Sequence, residues 1–473
     1  MIWVYSLIVS FILLILSYPL LKTYQMTGYK PKKFFEFIMI LQVRANDKNK
    51  LVFTKRMLRF LVLYFLILWG LMLITLFFVG QLWLIILDIV VMILLQPLFV
   101  VIAHMIILPI EEMIKKNYIS KAEKSLANFK GTKIAIVGSF GKTSVKNILS
   151  KILCEKFKTV MTPKNFNTPM GITKTVFQEI KSDTQVAIFE MGAKKEGDIK
   201  ELVKIVDPDI GVMTAIGEQH LETFKNIETV KRTKNELVKN IKQEGIVVFN
   251  GASELTFQLF LKCDKKKVLA CKENGDVSCQ NLAYSRFGTT FDLKIGDQTR
   301  SVRTKLLGAF NVDNIVLASA VANLMGLDID YIASRIEKIE PIKNRLELID
   351  CKTFSIIDDS YNANPVGCEE ALNVLRLFDG EKIVVTAGMV ELGEIQYEKN
   401  FVLGKKIGEV ANDVVVMNET NKKAIIEGLK TVNFSQENIY YATTREEQKQ
   451  LLKKLVKKDC VVLFQNDLPD IYR

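Results

Sequence analysis

The chain has 473 residues, 49% of them hydrophobic, with 64 Lys or Arg against 52 Asp or Glu and a formal net charge of +12. At roughly 150 residues per domain it has room for two or three domains; its apolar content excludes a disordered chain, and seven cysteines are too few for a disulfide scaffold. The basic excess, with a mean hydropathy of +0.19, suggests either nucleic acid or an anionic membrane surface, and the position of the charge decides between them.

Residues 2–21 carry no charged side chain and are long enough to cross a bilayer. They lack the basic start and small-residue cleavage site of a signal peptide. Between Arg59 and Glu111 the only formal charge is Asp88, so that run predicts two more helices, over 60–79 and 83–107, with a turn at Gly80-Gln81. Three apolar runs, with Asp88 the one charge among them and no amphipathic face, argue against a buried helix pair and for insertion into a membrane. The loop over 22–59 holds ten Lys or Arg and only Glu36 and Asp47 as acids, a net +8. The positive-inside rule then places this loop and everything after Glu111 in the cytoplasm, with membrane lipids as partners. Nucleic acid is excluded as a partner, because the basic loop is short and tethered and belongs to no known module.

All seven cysteines lie beyond residue 110, without a C-x-x-C pair, which fits reduced thiols used in packing. After an amphipathic connector over 111–130, Lys133 to Val137 read as a buried parallel strand and Thr143 begins a helical pattern. Between them stand Gly138, Ser139, Phe140, Gly141, Lys142, Thr143 and Ser144, the pattern G-x-x-G-K-[ST]. Glycines let backbone N–H groups close around phosphate at a helix N-terminus, the lysine reaches the terminal phosphates, and Thr143 is placed to ligate Mg2+. The bland alternative is an ordinary strand–helix turn with a solvated lysine. Further on, Glu190 ends a second hydrophobic strand and His220 follows a third. Ligand groups gather at such strand ends, which favours metal ligation over a structural role for both. The helix carrying Lys231, Lys234 and Lys239 reads by itself as a solvated basic face.

Eight segments then occur in an order that resembles the Mur ligase family: GKTS, TPKNFNTPMGITKTV, FEMGAKKEGDI, QHLETF, VKRTKNEL, GAFNVDNIVLASA, DDSYNANP and GMVELGE. Together they are most similar to its MurF branch, which adds D-alanyl-D-alanine to a peptidoglycan precursor, and DDSYNANP is close to diagnostic of that branch. The resemblance covers roughly residues 131–405. It implies an ADP-forming ligase that joins a carboxylate to an amine through an acyl phosphate, with ATP and two Mg2+ as cofactors. On this resemblance Gly138 to Ser144 hold the phosphates, Lys142, Glu190, His220 and Lys234 are catalytic, and Thr143, Glu190, His220 and a carbamylated Lys234 hold the metals. Asn311 and Asn314 match the family's adenine-side pair, Arg345 closes onto the phosphates, and Asp359 binds the ribose. Asn165, Asn167, Thr168, Tyr361, Asn362 and Asn364 fall to the substrates.

Departures from the family are Phe310 for a histidine before Asn311, Met389 for an aspartate, Asn400 for a histidine, and FQNDLPDIY near the C-terminus. All but Phe310 cluster in the domain that presents the amine. The family's N-terminal UDP-binding domain is replaced by residues 1–110. The expected architecture is α/β: a three-helix anchor over 1–110, the connector over 111–130, a central P-loop domain over 131–340 with antiparallel strands in 250–305, and a Rossmann-like domain over 341–473. The expected localisation is a bacterial cell membrane, multi-pass, with cytoplasmic catalytic domains. The expected substrates are an amine (amino acid or dipeptide) and a small-molecule or lipid-linked glycan or peptide carboxylate. Capsular uronic acids and a poly-amino-acid synthase remain alternatives, as does a nucleotide-driven transport or scaffold subunit. That last class has no need for His220 and Lys234 beside Glu190.

Overall fold

The computed structural model describes residues 2–39, 50–78, 81–271, 273–361 and 363–467. It divides into two compact units, Met1–Tyr118 and Ile119–Arg473.

The first unit is helical: Ile2–Leu16, Tyr18–Met26, Pro31–Met39, Lys55–Phe78, Leu82–Leu94 and the start of Gln96–Ala127. Its core gathers aromatic and long apolar side chains, among them Tyr24, Phe34, Phe60, Tyr64 and Leu68. Asp88, the lone acid of the apolar run, accepts a hydrogen bond from Thr75 Oγ1 at 2.8 Å. Arg59 and Glu111 form a bidentate pair at 2.6 and 2.8 Å.

Of the expected three-span anchor, two helices are found among the described residues: Lys55–Phe78 and Gln96–Ala127 are long and apolar enough to cross a membrane, and the count reaches three if the first two helices, bent by 47°, are taken as one span. The expected helix over 83–107 is broken at Leu95. Proline accounts for both breaks. Pro19 and Pro97 stand second in the new helices, where a missing N–H costs nothing, whereas in a continuous helix each would lose the hydrogen bond to the residue four back and clash with its carbonyl. Arg44, Lys48 and Asp47 of the basic loop, and Gly80 of the expected turn, lie outside the described residues. The expected connector is a continuation of the helix Gln96–Ala127.

The second unit holds two sheets. The first contains β1 (Thr132–Val137), β2 (Thr159–Met161), β3 (Val186–Glu190), β4 (Ile210–Met213), β5 (Ile246–Asn250), β6 (Lys266–Cys271), β7 (Val277–Ser285), β8 (Gly288–Ile295) and β9 (Gln298–Thr304). Their spatial order is β2-β3-β1-β4-β5-β6-β7-β8-β9, parallel as far as β7 and antiparallel beyond it. The alternating sequence of 277–304 explains that change, since its strands bury one face only. β1 lies between β3 and β4, so the chain leaves it in one direction and crosses back to β4 on the other side. This switch opens a crevice at the strands' carboxyl ends.

The second sheet contains β10 (Glu347–Asp350), β11 (Ser355–Asp359), β12 (Lys382–Thr386), β13 (Asp413–Met417), β14 (Ile439–Ala442) and β15 (Val461–Gln465), ordered β10-β11-β15-β12-β13-β14. All neighbours are parallel except β10 and β11. The seven cysteines are free thiols.

Candidate active site

The strand β1 is buried from Ile134 to Val137, and the helix Lys142–Leu153 starts after a left-handed turn at Gly141, φ +83°. Any side chain at Gly138 would strike Thr214 Oγ1, and one at Gly141 would meet Asn314 Oδ1 at 2.7 Å. Only glycine lets the loop pack this closely against the Thr214 and Asn314 side chains, which occupy the room a Cβ would need. The loop is pinned from β4: Ser139 N donates to Ala215 O at 2.8 Å, and Thr214 Oγ1 donates to Phe140 O at 2.6 Å.

Lys142 folds back over this loop, donating to the carbonyls of Gly138 and Ser139 at 2.7 Å each. Burial lowers its pKa to about 8; Glu190 opposes the shift and Arg345 adds to it. Glu190 lies at the end of β3, level with Ile136 of β1, and is 3% exposed. Its Oε2 accepts from Thr143 Oγ1 at 3.0 Å and pairs with Lys146 Nζ at 3.0 Å, while its Oε1 accepts from Asn167 Nδ2 at 3.1 Å. Burial alone would raise its pKa, but Lys146 and Lys142 outweigh that and hold the carboxyl below its ordinary value. A buried, ionised carboxylate next to a threonine hydroxyl suits a hard cation.

Lys146 was missed at the sequence level. It is 1% exposed and also donates to Lys164 O at 2.7 Å. The available signal was a lysine within a helix whose Val145, Ile148, Leu149 and Ile152 are all core residues.

Lys234 is 3% exposed, with its ammonium 5.8 Å from the centre of the Phe224 ring. Burial lowers its pKa to about 7, Lys142 adds to the shift, and Asp198 and Glu236 oppose it. The expected solvated face is therefore wrong at this position: the helix Ile227–Lys234 turns Val230, Thr233 and Lys234 inward. His220 stands in a left-handed turn, φ +55°, and its Nδ1 bonds Glu391 Oε2 from the C-terminal domain.

From that same domain Arg345 reaches the cavity, its guanidinium 4.3 Å above the Tyr361 ring. Burial lowers the pKa of Arg345, and Asp359 opposes the shift. Burial raises Asp359 to about 7, against the pull of Arg345. Asp359 Oδ1 accepts from Leu346 N at 3.3 Å.

One cavity of about 430 Å³ is lined by Ser139 through Ser144, Asn165, Asn167, Thr168, Glu190, His220, Lys234, Arg345, Tyr361 and Asn364. Gly138, Asn311, Asn314 and Asp359 stand outside its lining, and Asn362 lies outside the described residues. Asn311 and Asn314 part company. Asn311 Nδ2 donates to Leu307 O at 2.9 Å, whereas both amide atoms of Asn314 are buried without a partner. Buried polar atoms are rarely left so, which makes Asn314 a fit for a ligand with donors and acceptors, as an adenine has. Phe310 packs against Phe140 of the loop, ring centres 5.4 Å apart. Asn364 and Thr168 serve as helix caps: Asn364 Oδ1 accepts from Gly367 N at 3.0 Å, and Thr168 Oγ1 from Gly171 N at 3.2 Å.

Among the described residues no three of His, Cys, Asp and Glu cluster as a ready-made metal site. Magnesium fits that composition, because it takes one or two carboxylates and completes its shell with phosphates and water. Thr143 and Glu190 meet the requirement as they stand. Lys234 does not while it is an amine, since an ammonium repels a cation.

A phosphate loop at a topological switch point, with a second α/β domain bringing an arginine to the same cavity, defines a nucleotide-binding α/β enzyme. Residues 136–322 match the Mur ligase middle domain and 344–465 the Mur ligase glutamate ligase domain. The chain is 30% identical over 337 residues to the UDP-N-acetylmuramoyl-tripeptide–D-alanyl-D-alanine ligase of Buchnera aphidicola, covering 70% of this chain and 72% of the relative. It is 28% identical to the Bacillus subtilis ligase of the same name, with the same coverage. Among solved structures, MurF from Acinetobacter baumannii superimposes with a TM-score of 0.68 at 25% identity, covering 75% of this chain and 77% of that one. MurF from Thermotoga maritima in complex with ADP gives 0.67 at 27%, covering 75% and 80%. The chain belongs to the Mur ligase family and is an ATP-dependent, ADP-forming ligase.

These relatives also bear on localisation. The relatives matched are MurF ligases, and the expected multi-pass placement in a bacterial cell membrane is withdrawn on that ground.

Proposed function

We propose that this ligase activates a peptide carboxylate as its acyl phosphate and passes it to the amine of a dipeptide, in peptidoglycan synthesis. The observation that carries the reading is the convergence of Lys142, Glu190, His220, Lys234 and Arg345 on one cavity. Gly138 to Ser144 and Asn314 would hold ATP, Thr143 and Glu190 one Mg2+, and His220 with a carbamylated Lys234 the other. When bound, the metals supply charge neutralisation at the phosphate oxygens.

The residues themselves supply the rest. Lys142, released from the carbonyls of Gly138 and Ser139, turns its charge to the phosphate chain. A lysine titrating near 7 has a neutral fraction at physiological pH, and only the neutral amine adds CO2. The carbamate that forms is anionic, which turns Lys234 from a repellent of cations into a ligand. Arg345 brings a permanent charge from the C-terminal domain to the developing negative charge.

A second reading, with a different amine or acid such as a capsular uronate or a growing poly-amino acid, is favoured by Met389. It is 1% exposed where the family has an aspartate, so no carboxylate is present at that position to meet an incoming ammonium. The test is acceptor- and amine-dependent phosphate release with UDP-N-acetylmuramoyl-tripeptide and D-alanyl-D-alanine. The wild type should turn over, while Lys142→Ala and Glu190→Ala should each lose at least about 100-fold. Unchanged turnover in both variants sinks the site; no turnover by the wild type with this pair, but turnover with another, selects the second reading.

A further inference from the structure

The segment GMVELGE resembles the family without acquiring a role, yet its Glu391 reaches across from the C-terminal domain to His220. Both residues occupy backbone that side chains rarely adopt, His220 at φ +55° and Glu391 at φ +62°. Left-handed backbone at a non-glycine residue is strained and persists where the surroundings enforce it. Here the two positions face each other and are tied again through the main chain, Glu222 N donating to Glu391 O at 3.2 Å. Lys194 Nζ stands 3.7 Å from the other carboxylate oxygen of Glu391.

We infer that Glu391 is a positioning residue for the metal ligand His220, supplied by the closing domain. The inference rests on the reading of His220 as a metal ligand. A neutral imidazole carries one N–H and one lone pair, and the partner at one nitrogen decides which is which. With Nδ1–H donated to the Glu391 carboxylate, the lone pair is fixed on Nε2, the ring nitrogen left for a cation. The carboxylate also makes Nε2 the better donor and fixes the plane of the ring. Because the carboxylate lies in one domain and the imidazole in the other, the second metal position is complete only when the domains are together. Cation binding and domain closure therefore favour each other, through a single hydrogen bond.

The experiment is a Mn2+ titration of the full chain in the presence of ADP, reading free Mn2+ by electron paramagnetic resonance. His220→Ala identifies the Mn2+ equivalent that depends on the imidazole; if the wild type and His220→Ala bind alike, the reading of His220 fails, and the inference with it. Glu391→Ala is expected to weaken that same equivalent about 10- to 100-fold, and Glu391→Gln, which keeps an acceptor oxygen, to weaken it less. In the His220→Ala background, Glu391→Ala is expected to change nothing more. Lys399→Ala removes a different inter-domain pair, Lys399 Nζ to Glu218 at 2.6 Å, and is expected to leave Mn2+ affinity within about twofold. The inference is overturned by unchanged affinity in both Glu391 variants. It is equally overturned by an additive loss with His220→Ala, which would make Glu391 a direct ligand, or by an equal loss in Lys399→Ala, which would reduce Glu391 to a generic clasp.

Discussion

Glu190 and Lys142 set the electrostatics of the site, and each depends on neighbours from other elements. Glu190 remains ionised inside the protein only because Lys146, Thr143 and Asn167 hold its two oxygens. Burial holds Lys142 and Lys234 at about 8 and about 7. An anionic nucleotide favours the ammonium form of Lys142, so ADP binding must take up protons wherever that lysine is partly neutral beforehand. The sign follows from the shift: well below pH 8 Lys142 is already charged and nothing is taken up, while above it uptake grows. At pH 8.5 calorimetry in buffers of different ionisation enthalpy should therefore report uptake of about half a proton or more, and less at pH 7.5. Lys142→Arg, charged throughout, should abolish this contribution; undiminished uptake in that variant would assign it elsewhere. At this scale Glu190 was readable from strand and turn alone, because a strand end has one address in an open sheet. Lys146 was not, because a lysine four residues after another on a helix ordinarily marks a wet face.

Helix ends and proline positions decide how the elements lie. Apolar length alone predicted single spans over 2–21 and 83–107, whereas new helices start inside both stretches at Tyr18 and Gln96, each followed by a proline. That information was present in the sequence but was outweighed by hydrophobicity, which reports burial or lipid contact and says nothing of continuity. β11, β12, β13 and β15 are apolar runs that show directly in the sequence, whereas β10 and β14 are short and only half buried. Asn364 shows the same competition between readings: by resemblance a substrate contact, in the structure the cap of Pro365–Arg376. Asn364→Ala should lower stability by about 1 kcal/mol and Asn364→Asp should preserve it, as checked by denaturant unfolding. A raised KM for the amine in Asn364→Asp at full stability would return the residue to the substrate.

At the scale of the whole molecule, the charge and hydropathy that first suggested one basic, greasy protein belong to separate bodies. The +8 loop and the uncharged helices lie before residue 111, and residues 111–473 carry a net +5. The cores divide in the same way. The cluster around Tyr24, Phe60 and Tyr64 contains nothing beyond Ile107, and the clusters under the two sheets contain nothing before Ala122. Ala122 and Leu126, at the end of the long helix, pack beneath β1 and β3 with Ala135, Val137 and Phe189, so a fragment must keep them. A chain that begins at Ile119 retains the phosphate loop, Glu190, His220, Lys234, Asn314, Arg345 and Glu391, with the hydrogen bonds that hold them. It should fold cooperatively and bind ADP within about twofold of the full chain's Kd, since every residue named at the nucleotide site lies in the second unit. Calorimetric unfolding and titration of the fragment test this together. A folded fragment with ADP affinity reduced tenfold or more would show that the first 118 residues shape the nucleotide site, and that the separation of cores is not a separation of function.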